Sequence, residues 1–249
     1  MIMLAAVNGL AAAEDIPLPQ PRPPEANAAP WPPFNPAELT SEPSDCFKRL
    51  SVVATITPLP RLLGPGACGG TDMVRIEDVI MPDKSRVALL PAPELRCPMA
   101  ESIASWVRDD LRERVAALGS TLKSVENYDA YECRGRNRVA TAKISEHAKG
   151  DALDVRSLKL ADGRSIEPTD VHVDKAFREG MREGACGRFT TVLGPGADGN
   201  HENHIHLDLI ERRNGYRLCQ WDVRDPVVAQ NGPESGEIPL PRPRPPIGP

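Results

Sequence analysis

Histidine is scarce in this chain, with 5 among 249 residues, and aromatic residues make up only 4%. Basic residues are not in surplus: 30 Lys and Arg stand against 35 Asp and Glu, for a net charge of -5. That balance leaves no basic footprint and excludes nucleic acid as a partner class. The cysteines form no C-x-x-C pair, which argues against a thiolate zinc knuckle. No apolar run reaches the roughly 20 residues that a membrane helix needs, so a transmembrane anchor is not expected. The apolar start, 1–13, ends in Ala11-Ala12-Ala13 before Glu14-Asp15 and resembles a signal-peptidase site, although no basic stretch precedes it. The expectation is an exported protein, periplasmic or extracellular, with 1–13 as the remnant of a signal peptide.

Proline is abundant instead, with 27 residues, well above an average share of roughly 5%. Much of it lies at the ends, where Ile16-Pro17-Leu18-Pro19 is repeated as Ile238-Pro239-Leu240-Pro241. Such segments lack free N–H groups and favour extended polyproline geometry. They read as stiff solvated ends, expected to be disordered, or as segments that contact the cell wall or a proline-binding partner. The reading is therefore a linker at 14–44, a folded domain at 45–225 and a tail at 226–249. Six cysteines, Cys46, Cys68, Cys97, Cys133, Cys186 and Cys219, are scattered through the domain. In an exported chain they read as three disulfides, with the pairing open among 15 choices. The competing reading is six reduced, buried small hydrophobes.

Within the domain, the run Leu50 to Ile56 is apolar and β-branched and reads as a strand. Val74 to Ile80 and Arg86 to Leu90 read as further strands. Pro98 to Leu118 reads as one helix, because Ile103, Trp106, Val107, Leu111, Val115 and Leu118 recur at spacings of three and four. Val173 to Ala185 reads as a second helix with Ala176, Phe177 and Met181 inward. Arg188 to Leu193 reads as a strand. Arg134, Arg136 and Arg138 cluster on a loop. Arginine's planar fork suits carboxylates and oxyanions, though at least two of the three read as solvated.

Two stretches hold every histidine except His172, which stands between two valines and reads as structural. One runs from Ser145 to Asp154, the other from His201 to Asp208. In the second, side chains alternate faces along a strand, so Ile205, Leu207 and Leu209 share the core face and His204, His206 and Asp208 the other. His147 and Asp154 complete the set, with Gly150 allowing the loop between them to bend back. Two imidazoles and a carboxylate form a common catalytic zinc set that leaves a position open for water. Either motif alone is weak. Together they take nearly all the histidine of a histidine-poor chain, and they point to one metal ion. A chain without any metal is the competing reading.

Ser145-x-His147-x-x-Gly150-x-Ala152-x-Asp154 is similar to the S-x-H-x-x-G-x-A-x-D signature of the D-alanyl-D-alanine carboxypeptidases. The H-x-H at His204 and His206 resembles the second motif of the wider group, which includes lysostaphin-type peptidases, murein endopeptidase and the hedgehog domain. From about Cys46 to Cys219 the chain resembles the bacterial extensin-like C-terminal domain. That likeness lies in Tyr131-x-Cys133-Arg134, Ser145-Glu146-His147, Phe189 to Gly196 and His201-x-x-His204-x-His206-x-Asp208.

The resemblance implies an α+β fold, a small antiparallel sheet carrying a zinc site and flanked by helices. It implies Zn2+ on His147, Asp154 and His206, with His204 as the group accepting the water's proton; Glu202, nearby but expected to point away, is a second candidate base outside the resemblance. Asn203 stands where the carboxypeptidases carry a glutamate. Arg134 takes the place of the arginine that holds substrate or the developing oxyanion. Ser145 and Asp208 support the ligands, Asp208 by orienting an imidazole. The implied activity is hydrolysis of peptide bonds in peptidoglycan stems or cross-bridges. The alternative is an exported wall-binding or scaffold protein that keeps the fold without turnover.

Overall fold

The computed structural model describes residues 43–139 and 141–226. The signal-peptide remnant at 1–13, nearly all of the proline-rich linker and all but the first residue of the proline-rich tail lie outside the described residues. In chain order the elements are α1 (Asp45–Ser51), β1 (Ala54–Leu59), β2 (Leu62–Leu63), β3 (Gly69–Gly70), β4 (Met73–Ile80), β5 (Arg86–Leu90) and β6 (Glu94–Arg96). Then come α2 (Cys97–Ser105), a π-helical segment (Trp106–Leu111), α3 (Arg112–Ala117), β7 (Leu122–Asp129), β8 (Ala152–Leu160) and β9 (Ser165–Ile166). The last are α4 (Lys175–Arg188), β10 (Thr191–Leu193), β11 (Ile205–Asp208) and β12 (Leu218–Gln220).

The fold is α+β as expected, but the sheet is neither small nor purely antiparallel. Ten strands join in the order β1-β4-β5-β7-β8-β11-β10-β12, with β6 on β4 and β9 on β8. The pairs β5–β7 and β10–β12 are parallel. A parallel pair needs a crossover, and the helical run between β5 and β7 supplies one of them. That run packs its apolar stripe onto the sheet: Ile103, Trp106, Val107, Leu111 and Val115 are all buried in the core.

The helical run is not uniform. Residues 106–111 widen into a π turn, where the edge of Trp106 meets the Phe189 ring at 6.1 Å. Asp109 and Asp110 in the same segment pair with Arg188 at the end of α4. Gly180 and Gly184 explain how closely α4 approaches. A Cβ on Gly180 would come within 2.6 Å of the Arg114 guanidinium, and one on Gly184 within 2.9 Å of Asp110. These glycines cost α4 helical propensity and are spent on packing.

Other local expectations shift. Leu50 belongs to α1, not to a strand, because Ser44 caps that helix by accepting from the Phe47 N–H at 3.0 Å. The strand begins at Ala54. Ala176 is exposed on α4, and Arg178 takes the inward place beside Phe177 and Met181. Arg178 is buried and, among the described residues, has no carboxylate partner, donating instead to the carbonyls of Val171, Val173 and Arg224. The helix continues to Arg188, so the strand that follows is only Thr191–Leu193.

All six cysteines are paired, as Cys46–Cys97, Cys68–Cys133 and Cys186–Cys219. The first ties α1 to α2 and the last ties α4 to β12. The second ties the β2–β3 loop to the segment after β7 that carries Arg134. Among the described residues no helix is long and apolar enough to cross a membrane.

Candidate metal centre

The centre sits where β8 and β11 pair antiparallel near the middle of the sheet. Their register sets His206 directly opposite Asp154 and Leu207 opposite Leu153. Alternation then sorts the side chains. Leu153, Val155, Ile205 and Leu207 enter the core, while Asp154, His206 and Asp208 share the other face. Leu209 lies beyond β11 but still packs against the core, and His204 stands one residue before the strand.

His147 arrives from a short 3-10 turn, His147–Lys149, just before β8. Gly150 ends that turn with φ at +71°, and a Cβ there would come within 2.7 Å of Met73. The turn is pinned on both sides. The Arg96 N–H donates to the Gly150 carbonyl at 2.8 Å, and the Arg96 guanidinium holds Asp151 at 2.6 Å. Ser145 Oγ accepts from the His147 N–H at 3.3 Å.

Three side chains converge. His147 Nε2 lies 3.1 Å from Asp154 Oδ1, and His206 Nδ1 lies 2.8 Å from the same oxygen. The two ring nitrogens are 3.1 Å apart. All three residues are buried. The outward nitrogens decide the chemistry of the inward ones. His147 Nδ1 lies 2.6 Å from the Ala130 carbonyl, which only accepts, so the ring proton belongs there. His206 Nε2 lies 3.1 Å from Asp208 Oδ2 and donates to it. When each ring carries only that outward proton, both inward nitrogens are lone pairs, aimed at each other and at a carboxylate oxygen.

Three acceptors within about hydrogen-bonding distance repel unless a cation or an added proton joins them. In the protein alone, burial works against charge on His206, but Asp154 and Asp208 outweigh it and push the ring up to about 9. Burial likewise opposes the Asp154 charge, yet the imidazoles hold its carboxyl well below the usual range. Asp208 is held low against burial by His206 and by Thr191. This donor set fits a divalent metal: two imidazole nitrogens, one carboxylate, and an outer acceptor fixing each ring. A second group, Cys46, Asp72 and Cys97, is close enough to suggest a site, but its cysteines are bonded to each other.

A cleft of about 490 Å³ opens over the three residues, and Tyr128, Arg134, Arg136, His201, His204 and Arg212 are among those that line it. His204 Nε2 is 3.6 Å from Asp154 Oδ2. Its Nδ1 is 2.9 Å from the Asn203 side-chain oxygen, which places the ring proton there and leaves Nε2 free to accept. Tyr128 stacks on the His204 ring at 5.7 Å. Burial lowers the His204 pKa, so the ring is neutral near pH 7.

Glu202 is placed elsewhere. Its carboxylate accepts from the Gly196 N–H at 2.8 Å and lies 3.7 Å from Arg224, away from the cleft lining. Arg134 lines the cleft with Nη2 on Asp129 at 2.7 Å and Nε on Glu132 at 2.8 Å. His172 is exposed, outside the site.

Residues given no role from sequence also take part. His201 is buried in the cleft wall, with Nδ1 on Asp198 at 2.6 Å and its ring 5.1 Å from that of His204. Its spacing from Asp198, D-x-x-H, was a weak local signal. Tyr128 and Thr191 carried none, since they reach the cleft through strand pairing, and Arg212 carried none because its side chain is placed by Thr190 and Thr191.

Against known families, the chain matches the one described as Extensin-like protein C-terminus over residues 44–220. No curated protein and no solved structure matches it.

Proposed function

We propose, starting from the premise that the chain belongs to the extensin-like protein C-terminus family, that it is a zinc-dependent hydrolase of peptide bonds in peptidoglycan. The observation that carries this reading is the set of inward lone pairs on His147 and His206, closed by Asp154 under an open cleft. His147 Nε2, Asp154 Oδ1 and His206 Nδ1 would hold the ion. Zinc in such a site lowers the pKa of water to about 7 and polarises a carbonyl oxygen.

The chain's own groups supply the rest. His204 Nε2 takes the proton from the attacking water and delivers it to the leaving amine nitrogen. Asn203 and Tyr128 hold that ring in place. Arg134 has spent two of a guanidinium's five donors on Asp129 and Glu132, and the remaining donors face the task of binding substrate. The three disulfides agree with export to an oxidising compartment, where the wall is found.

The test is chromatography of muropeptides after sacculi are incubated with the zinc-loaded protein. New stem or cross-bridge products, absent with His204→Ala, support the reading. Unchanged peaks with stoichiometric zinc would overturn it. Asn203 in place of a glutamate favours one second reading, an exported wall-binding protein without turnover. Retention on sacculi that does not depend on His204, with no product, distinguishes it.

A further inference from the structure

The cleft is lined by four arginines, Arg134, Arg136, Arg138 and Arg212, and they fall into two kinds. Arg134 and Arg138 share Asp129 and Glu132 as counterions. Arg212 is held by neutral acceptors only: Nη1 donates to the Thr190 carbonyl at 2.9 Å and Nη2 to Thr191 Oγ1 at 2.6 Å. Among the described residues neither Arg212 nor Arg136 has a carboxylate partner. The acids lining the cleft are already engaged. Asp154 and Asp208 hold imidazoles, Asp198 holds His201, and Glu146 holds Lys149.

The positions of these two guanidinium groups, neither paired with a carboxylate among the described residues, are informative. Arg136 follows β7, while Arg212 is anchored on β10 through Thr191. In the sheet, β8 and β11 with the three converging residues lie between β7 and β10. The arginines therefore approach the centre from its two sides. Arg212 is half-buried and fixed at two of its five donors, so it presents the rest without paying much ordering entropy.

We propose that Arg212, aided by Arg136, forms a subsite for a free carboxylate of the peptide substrate. The subsite gives the enzyme a preference for acidic stem peptides over their neutral amides. This rests on the peptidoglycan-peptide reading, and it makes Arg212 a specificity-determining group distinct from Arg134.

The experiment uses soluble muropeptides, native and with their carboxyl groups amidated, titrated calorimetrically into the zinc-loaded full chain carrying His204→Ala, which prevents turnover. Native muropeptides should bind about tenfold or more tightly than the amidated ones, as a charge-assisted pair implies. Adding Arg212→Gln should remove that preference at unchanged zinc content, Arg212→Lys should keep part of it, and Arg136→Gln on the exposed loop should reduce it. Equal binding of the two forms, no binding of either, or a preference that survives both glutamine variants would each overturn the subsite. Cleavage of sacculi by the wild type is scored separately. Cleavage without acid preference sinks the subsite alone, whereas acid preference without cleavage sinks the hydrolase alone.

Discussion

His147 Nε2 and His206 Nδ1 lie 3.1 Å apart, while the other nitrogen of each ring is bonded outward to the Ala130 carbonyl and to Asp208. In metal-free protein a second proton on His206, shared with Asp154, relieves the contact. A divalent cation replaces that proton and uses both inward nitrogens as lone pairs. Purified protein should therefore carry zinc near a one-to-one ratio by elemental analysis. Chelation should lower the melting temperature and zinc should restore it, since a ligand that binds only the folded state stabilises by mass action. Asp154→Ala should lose both the zinc and the shift. A wild type whose melting temperature ignores zinc and chelator would refute the site.

Asp208 also makes a sharper test of the same geometry. Its Oδ2 accepts from the His206 Nε2–H and its Oδ1 accepts from the Ile210 N–H at 3.0 Å, so the carboxylate is fixed before it fixes the ring. Removing such an outer partner commonly costs about 10–100-fold in metal affinity. Asp208→Ala should show a loss of that size in competition with a chelator, with the fold intact by circular dichroism. Unchanged affinity would mean that His206 needs no orienting group.

How much of this was legible beforehand follows from the range of each interaction. The alternation of Ile205, His206, Leu207 and Asp208 is local, and it gave the correct two faces. Gly150 was legible for the same reason: a positive φ needs no distant partner. What depends on pairing was not. The facing of His206 and Asp154 is a register across 52 residues of chain, and the proton positions on the rings depend on Ala130, Asn203 and Asp208. Sheet size was misjudged because β5–β7 and β10–β12 are parallel pairs joined through distant crossovers. Leu50 to Ile56 was misread because a β-branched run outweighed the Ser44 cap upstream of it.

The loop bearing Arg134 should be acid-sensitive through Glu132. Burial alone would raise this carboxyl, but hydrogen bonds from Arg138 and Arg134 outweigh it and hold the group below its ordinary value. A depressed folded pKa means that stabilisation is present above the unfolded value, about 4.3, and is lost as pH falls through the folded one. In metal-free protein, Glu132→Gln should be less stable than wild type near neutrality, and the gap should close below about pH 4. Denaturant midpoints at the two pH values measure it. A gap that stays constant would show that the ion pairs contribute nothing.

The Cys186–Cys219 bridge offers a test that separates stability from the proposed metal binding. It joins α4 to the short edge strand β12 and closes 33 residues of chain. The helix packs on the core face through Phe177 and Met181, whereas His147, Asp154 and His206 face the cleft. Replacing both cysteines with serine should cost about 2–5 kcal/mol in urea unfolding. The zinc ratio of the folded fraction should not change. Loss of zinc before loss of fold would mean that β10, held between β11 and β12, transmits strain to His206.

In the proposed hydrolysis His204 carries the proton step, and its surroundings predict how each neighbour contributes. Asn203 fixes the proton on Nδ1, Nε2 faces the Asp154 carboxylate at 3.6 Å, and burial keeps the ring neutral near pH 7. The ring does not belong to the three converging ligands, so His204→Ala should retain zinc while losing about 10²–10⁴-fold in muropeptide cleavage. Asn203→Ala removes only the partner that sets the tautomer, so its loss should be smaller. Asn203→Asp keeps an acceptor at that place and should recover part of the rate. Glu202 is committed to the Gly196 N–H, so Glu202→Gln should stay near wild type. The ordering of the four variants discriminates the bases. A severe loss in Glu202→Gln with an active His204→Ala would transfer the proton step to the glutamate and require the loop 194–203 to rearrange on substrate binding.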